Sequence, residues 1–180
     1  MEKRIGLLPN NVMLKEVNTS IYKHEFIREK IRLSIILRHL YVKIEHVGST
    51  SIPGIVAKPI IDIAIGVKNF EHFELIKRIL TKHGYFFLND CGEDGRYIFI
   101  RKKNEFITHH IHIEKYGELC WNNHVEFRKC LIESAELRNK YVNLKKSLAE
   151  RYADDRKKYT NGKSEFIQEV LTDYRISKDK

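Results

Sequence analysis

At 180 residues, with 42% hydrophobic and 32% charged side chains, the chain has the size and composition of one globular domain with a real core. No apolar run approaches the roughly 20 residues that a membrane-spanning helix needs, and the N-terminal Met1-Glu-Lys-Arg-Ile-Gly lacks a signal-peptide stretch, so a cytoplasmic protein with no membrane partner is expected. The net charge of +9 is concentrated: residues 128–180 hold 14 Lys/Arg against 9 Asp/Glu, read either as an electropositive surface that attracts polyanions or as the solvated face of amphipathic helices.

Residues 1–17, with Pro9-Asn10-Asn11, read as a loosely attached lead-in to a single domain spanning 1–180. With Thr19 or Ser20 as the cap, Ile21, Phe26, Ile27, Ile31, Ile35 and Leu40 follow one stripe of a long amphipathic helix. Residues 41–47 alternate as a strand, and the nearly all-apolar 60–67 reads as a central strand covered on both faces. A helix over 69–82 stops at His83-Gly84. Strands then follow over 85–88, 96–101 and 106–114, with turns at 89–95 and 102–104, and three helices over 118–134, 137–153 and from 155 or 160 to 174. This order predicts an α/β (α+β) domain, a mixed sheet flanked by helices under a helical C-terminal cover. Cys91, Cys120 and Cys130 are odd in number and share no metal or redox spacing, which argues for reduced thiols.

The chemistry concentrates between His46 and Ile65. Gly48 and the hydroxyls of Ser49, Thr50 and Ser51, bounded by Pro53-Gly54, read as a phosphate cradle or as a tight turn whose hydroxyls cap a one-turn helix. Asp62 lies within an apolar run, where an unpaired charge would cost several kcal/mol, so it requires a partner: a metal ion, Lys58 or an arginine. His110, His112 and Glu114 share one face of a strand, a set suited to a divalent ion or a phosphate, or else a half-exposed polar face. Glu45 and His46 point to opposite faces. Arg96 and Arg101 are candidate forks for a triphosphate, with a plain surface arginine the favoured reading of Arg101, and Trp121 and Phe127 are packing residues.

Val47-Gly48-Ser49 and Asp62-Ile63-Ala64-Ile65 resemble the nucleotidyltransferase signature, an apolar residue and Gly-Gly/Ser followed by Asp-apolar-acid-apolar, except at Ala64. The run His46-Val-Gly-Ser-Thr-x-x-Pro-Gly54 through Ala57-Lys-Pro-x-x-Asp62 is similar in more detail to the GrpB family of that superfamily. Thr108-His-His-x-His112, Tyr141-x-x-Leu-Lys145 and Asp155-Arg156-x-x-Tyr-Thr160-x-x-Lys163 extend the resemblance over about residues 20–172. It implies a nucleotidyltransferase-like fold in which divalent cations, held by carboxylates, carry an NTP for in-line attack; Ala64 removes one ligand of that set. The implied phosphate-binding residues are Gly48, Ser49, Thr50, Lys58 and Arg96 and, from the C-terminal blocks, Lys145, Arg156 and Lys163, with Tyr159 beside them. Asp62 and His112 are the implied catalytic pair, and Asp62, His110, His112 and Glu114 the implied ligands of magnesium or manganese, or of zinc. The expected partner is a nucleotide or small phosphorylated ligand. Two readings stay open: a metal-dependent nucleotidyltransferase, and a catalytically silent binding module. No helix-turn-helix, zinc-finger or aromatic RNA-binding motif supports a nucleic-acid partner.

Overall fold

A computed structural model of the chain describes residues 5–9, 11–91 and 95–178. The elements are β1 (Lys15–Glu16), α1 (Thr19–Leu37), β2 (Lys43–Val47), β3 (Val56–Ala57), β4 (Ile61–Val67), α2 (Phe73–Lys82), β5 (Tyr85–Cys91), β6 (Arg96–Lys103), β7 (Phe106–Lys115), α3 (Leu119–Glu133), α4 (Ala135–Arg151), α5 (Arg156–Asn161) and α6 (Ser164–Lys178). Five strands form a mixed sheet in the order β2-β4-β7-β6-β5, in which β4 and β7 are parallel and the other neighbours antiparallel. The C-terminal cover holds four helices rather than three, because Asp155 caps a separate short α5 by accepting from the Lys158 amide at 3.0 Å. The 89–95 turn is shorter than expected, since β5 runs on to Cys91; residues 92–94 of that turn lie outside the described residues.

Side-chain alternation sorts the sheet into two faces. Ile44, Ile61, Ile63, Ile65, Ile111, Ile113 and Phe99 join Leu33 and Leu37 of α1 and Phe73, Ile76 and Leu80 of α2 in the main core. The register sets Asp62 beside His110, Ala64 beside His112 and Gly66 beside Glu114, so these six residues share the opposite face, under the C-terminal helices. Apart from Asp62, β4 is apolar because helices cover it on both sides.

Two expectations are corrected. The α1 stripe is displaced: Tyr22, Glu29, Leu33 and Leu37 are buried, whereas Ile27, Ile31 and Ile35 are 44%, 56% and 67% exposed. Its cap is Asn18, whose side chain accepts from the Ile21 amide. The N-terminal segment, over its described residues, is packed rather than loosely attached. Leu7 exchanges backbone hydrogen bonds with Ile107 (3.0 and 2.9 Å), Leu7 and Val12 are buried, and β1 pairs with β3.

Candidate functional site

The β2–β4 connection begins at Gly48, whose φ of 67° and ψ of −176° lie in a region open almost only to glycine. Its missing side chain also makes room, since a Cβ there would stand 2.4 Å from Asp62 Oδ2. Asp62 therefore lies directly beneath the bend. A one-turn 3₁₀ helix, Ser49–Ser51, follows, and it uses up two of the three hydroxyls. Ser51 Oγ donates to Gly48 O (2.6 Å), and Thr50 Oγ1 donates to Ile60 O (3.2 Å) while accepting from His46 Nε2 (3.1 Å) on the core side of the sheet. Thr50, 1% exposed, thus fastens the loop and does not face the cleft. Burial pushes the His46 imidazole down to about 4, which keeps it a neutral hydrogen-bonding post under the stacked Phe26 ring. Ser49 remains for the site, where it accepts from Lys145 Nζ at 3.2 Å.

Asp62 meets the histidine strand. Its Oδ1 lies 2.9 Å from His110 Nδ1 and 3.7 Å from His112 Nε2. Arg156 Nη2 lies 2.8 Å from the other His110 nitrogen, Nε2. A guanidinium only donates, so Nε2 accepts and Nδ1 carries the proton given to Asp62. Burial would raise the Asp62 carboxyl, but hydrogen bonding from His110 and His112 outweighs it and holds the group well below the usual carboxylate range.

Cations gather around this carboxylate from elements far apart in sequence. Lys145 of α4 is 1% exposed and donates to Ser49 Oγ and to the Val56 carbonyl. Lys58 and Lys163 both lie against the Tyr159 ring, 5.1 and 4.7 Å from its centroid. Burial, with Lys163 as neighbour, lowers Lys145 to about 7; burial, Lys163 and Arg156 lower Lys58 to about 7; burial lowers Lys163 to about 8, with Arg156 adding to it. Asp62 opposes the shift at Lys58, Lys163 and Arg156. Three cations facing one carboxylate, with Lys145 held beside them at Ser49, leave a site with unspent positive charge.

The remaining sequence candidates separate from this cleft. Arg96 pairs in register with Glu114, four residues along β7 from His110 and therefore roughly 13 Å away. The expected ligand set divides in two: Asp62 and His110 belong to the cation cluster, whereas Glu114 lies beside His124 of α3, Nδ1 to Oε1 3.0 Å, with His112 between. His124 carries no motif and was not read from the sequence; nor was Arg128, which fastens α3 to β2 through Glu45 (3.0 Å) and the His46 carbonyl. Arg101, expected at the surface, pairs with the buried Glu29 of α1, which also accepts from Tyr85 Oη at 2.5 Å. A cavity of about 670 Å³ between α1 and the β6–β7 hairpin, lined by Arg28, Lys102 and His109 among others, does not reach Asp62.

A two-cation cradle needs a second acid at position 64, and the residues present do not fit one. Ala64 is fully buried against Val47 and Trp121, and the Trp121 ring also lies over Gly66, where a Cβ would meet it at 2.9 Å. The place of the missing carboxylate is filled by an indole.

The sheet, its helical cover and the Gly48–Asp62 bend define a nucleotidyltransferase-like α+β domain. The chain belongs to the GrpB protein family, whose profile matches residues 11–173. It is 36% identical over 156 residues to the glutamate-rich protein GrpB of Alkalihalophilus pseudofirmus, covering 84% of this chain and 90% of that one. Identity to the UPF0157 protein YqkA of Bacillus subtilis is 35%, over 79% of this chain but only 41% of that protein. A crystal structure of the conserved protein GrpB from Enterococcus faecalis superposes with a TM-score of 0.82 at 30% identity, over 93% of this chain and all of that one. The Cid1 poly(U) polymerase, solved with MgGTP bound, gives a TM-score of 0.53 at 15% identity over 77% of this chain and 45% of its own, a likeness of fold alone. Among the described residues no helix is long and apolar enough to cross a membrane.

Proposed function

We propose that this protein binds the phosphate chain of a nucleotide in the cleft under the Gly48–Ser49 bend. The observation that carries this reading is the convergence of Lys58, Arg156 and Lys163 on Asp62, with Lys145 held beside them at Ser49 and all three lysines lowered by burial and by neighbouring positive charge. Such a cluster is costly without an anion and is relieved by one, because phosphate oxygens supply the charge and the hydrogen-bond acceptors that the protein does not. The fold shared with Cid1 favours a nucleotide over other phosphates. Calorimetric titration with nucleoside triphosphates should give saturable binding that weakens about tenfold or more in Lys145→Met and in Arg156→Met, each loss removing a charge-assisted contact. Heat from none of the nucleotides, with the variants indistinguishable from the parent, would remove the reading.

A second reading, nucleotidyl transfer, is favoured by the His110 tautomer. With Nδ1–H held by Asp62, Nε2 becomes a base once Arg156 turns to the phosphates. It would take the proton of an acceptor hydroxyl as that oxygen bonds to the α-phosphorus and pyrophosphate leaves. Pyrophosphate release across a panel of acceptors, abolished in His110→Gln with binding retained, supports transfer; binding with no release leaves the module reading alone.

A further inference from the structure

Beyond Asp62 along β7, the same face of the sheet carries a second polar cluster that the phosphate reading does not use. We propose that His112, Glu114 and His124 form a binding site for one divalent transition-metal ion of the zinc class. The three residues offer ligand atoms that all lie within 4.8 Å of one another. They come from two rigid elements: His112 and Glu114 at i and i+2 on β7, and His124 from the facing turn of α3. In a tetrahedral site with ligand bonds near 2.0–2.2 Å, ligand atoms stand roughly 3.3 Å apart, so a small contraction closes the set.

The second observation is what these atoms lack. Glu114 is 0% exposed and His112 is 9% exposed; Glu114 Oε1 meets only the His124 ring, and His112 Nδ1 is buried without a hydrogen-bond partner. An orphaned buried acceptor costs about 1–3 kcal/mol. A plain Glu114–His124 ion pair accounts for the 3.0 Å contact between those two residues but leaves His112 Nδ1 unexplained. His112 already turns Nε2 toward Asp62 at 3.7 Å, so Nδ1 is the nitrogen left for an ion. Asp62 then stands behind this ligand as the carboxylate that orients a metal-bound imidazole.

The donor set decides the metal. Two imidazoles and one carboxylate suit zinc, iron, cobalt or nickel, whereas magnesium keeps oxygen ligands and several waters.

The site stands independently of the phosphate reading, because no residue of the cation cluster is a ligand. The test is a titration of Zn²⁺ into chelator-treated full-length protein against a competing chromophoric chelator. One equivalent should bind, and His124→Ala and Glu114→Gln should each weaken it by about 100-fold or more, at least the loss that removal of an outer partner can cause. Lys145→Met should bind Zn²⁺ as the parent does. His124 is 24% exposed, so its replacement should leave the fold intact, and Zn²⁺ should raise the melting temperature of the parent but not of His124→Ala. No stoichiometric binding by the parent, or parent-like affinity in His124→Ala, overturns the proposal.

Discussion

Gly48 and Asp62 depend on each other at the level of single atoms. The glycine adopts a backbone conformation that a side chain resists, and the aspartate fills the space a Cβ would occupy. Gly48→Ala therefore imposes two costs, about 1–3 kcal/mol for the backbone and a further displacement of Asp62 from His110. Urea unfolding should show a loss of about 3 kcal/mol, and nucleotide binding should fall with it; a variant as stable as the parent would contradict the geometry. This coupling was legible in the sequence, because a glycine before hydroxyls and an acid in an apolar run each stand out locally. His124 was not legible, since its partnership with Glu114 and His112 depends on how α3 lies across the sheet, and a single histidine on a helix carries no such signal. Thr50 misled for a related reason. A hydroxyl in a glycine-serine bend has the same spelling whether it faces a ligand or, as here, fastens the loop to Ile60 and His46.

Among the elements, β4 was readable because a run apolar but for Asp62 permits little besides a doubly covered strand, whereas α1 was not, because it carries two candidate stripes. The isoleucine stripe is the more apolar, yet the core selects Tyr22, Glu29, Leu33 and Leu37, and the buried Glu29 is accepted because Arg101 and Tyr85 reach it from β6 and β5. Leu33→Ala should accordingly cost about 2–5 kcal/mol, and Ile31→Ser less than about 0.5 kcal/mol; equal effects in thermal or denaturant melts would restore the stripe read from the sequence. The packing of α3 on β4 supports a sharper expectation. Ala64→Asp would restore the acid of the nucleotidyltransferase signature, but it would place a carboxylate beneath Trp121 in a fully buried, apolar position. Burying a charge without a partner there should cost about 3 kcal/mol or more and create no transfer activity. A stable Ala64→Asp protein that gained pyrophosphate release would show that the indole yields its place readily.

Across the whole molecule, the cation cluster couples stability and binding to pH. Lys58 and Lys145 are lowered to about 7 and Lys163 to about 8, against about 10.5 in the unfolded chain. Between those values the unfolded state holds more protons than the folded one, so stability rises with pH across the window from about 7 to about 10, once the folded lysines have shed their charge. An anion reverses the preference. It binds the protonated cluster, draws protons in, and loses its partners as pH climbs through 7 and 8, while a nucleoside triphosphate keeps its own charge. The ligand-free protein should therefore melt at a higher temperature at pH 9 than at pH 7, and nucleotide affinity should fall over the same interval by about tenfold or more. Isothermal titration in buffers of different ionisation heat would detect the accompanying proton uptake directly near pH 8. Affinity independent of pH across that interval, with no proton uptake, would mean that the lysines keep their protons in the free protein, and the cluster would then be balanced by something other than a bound phosphate.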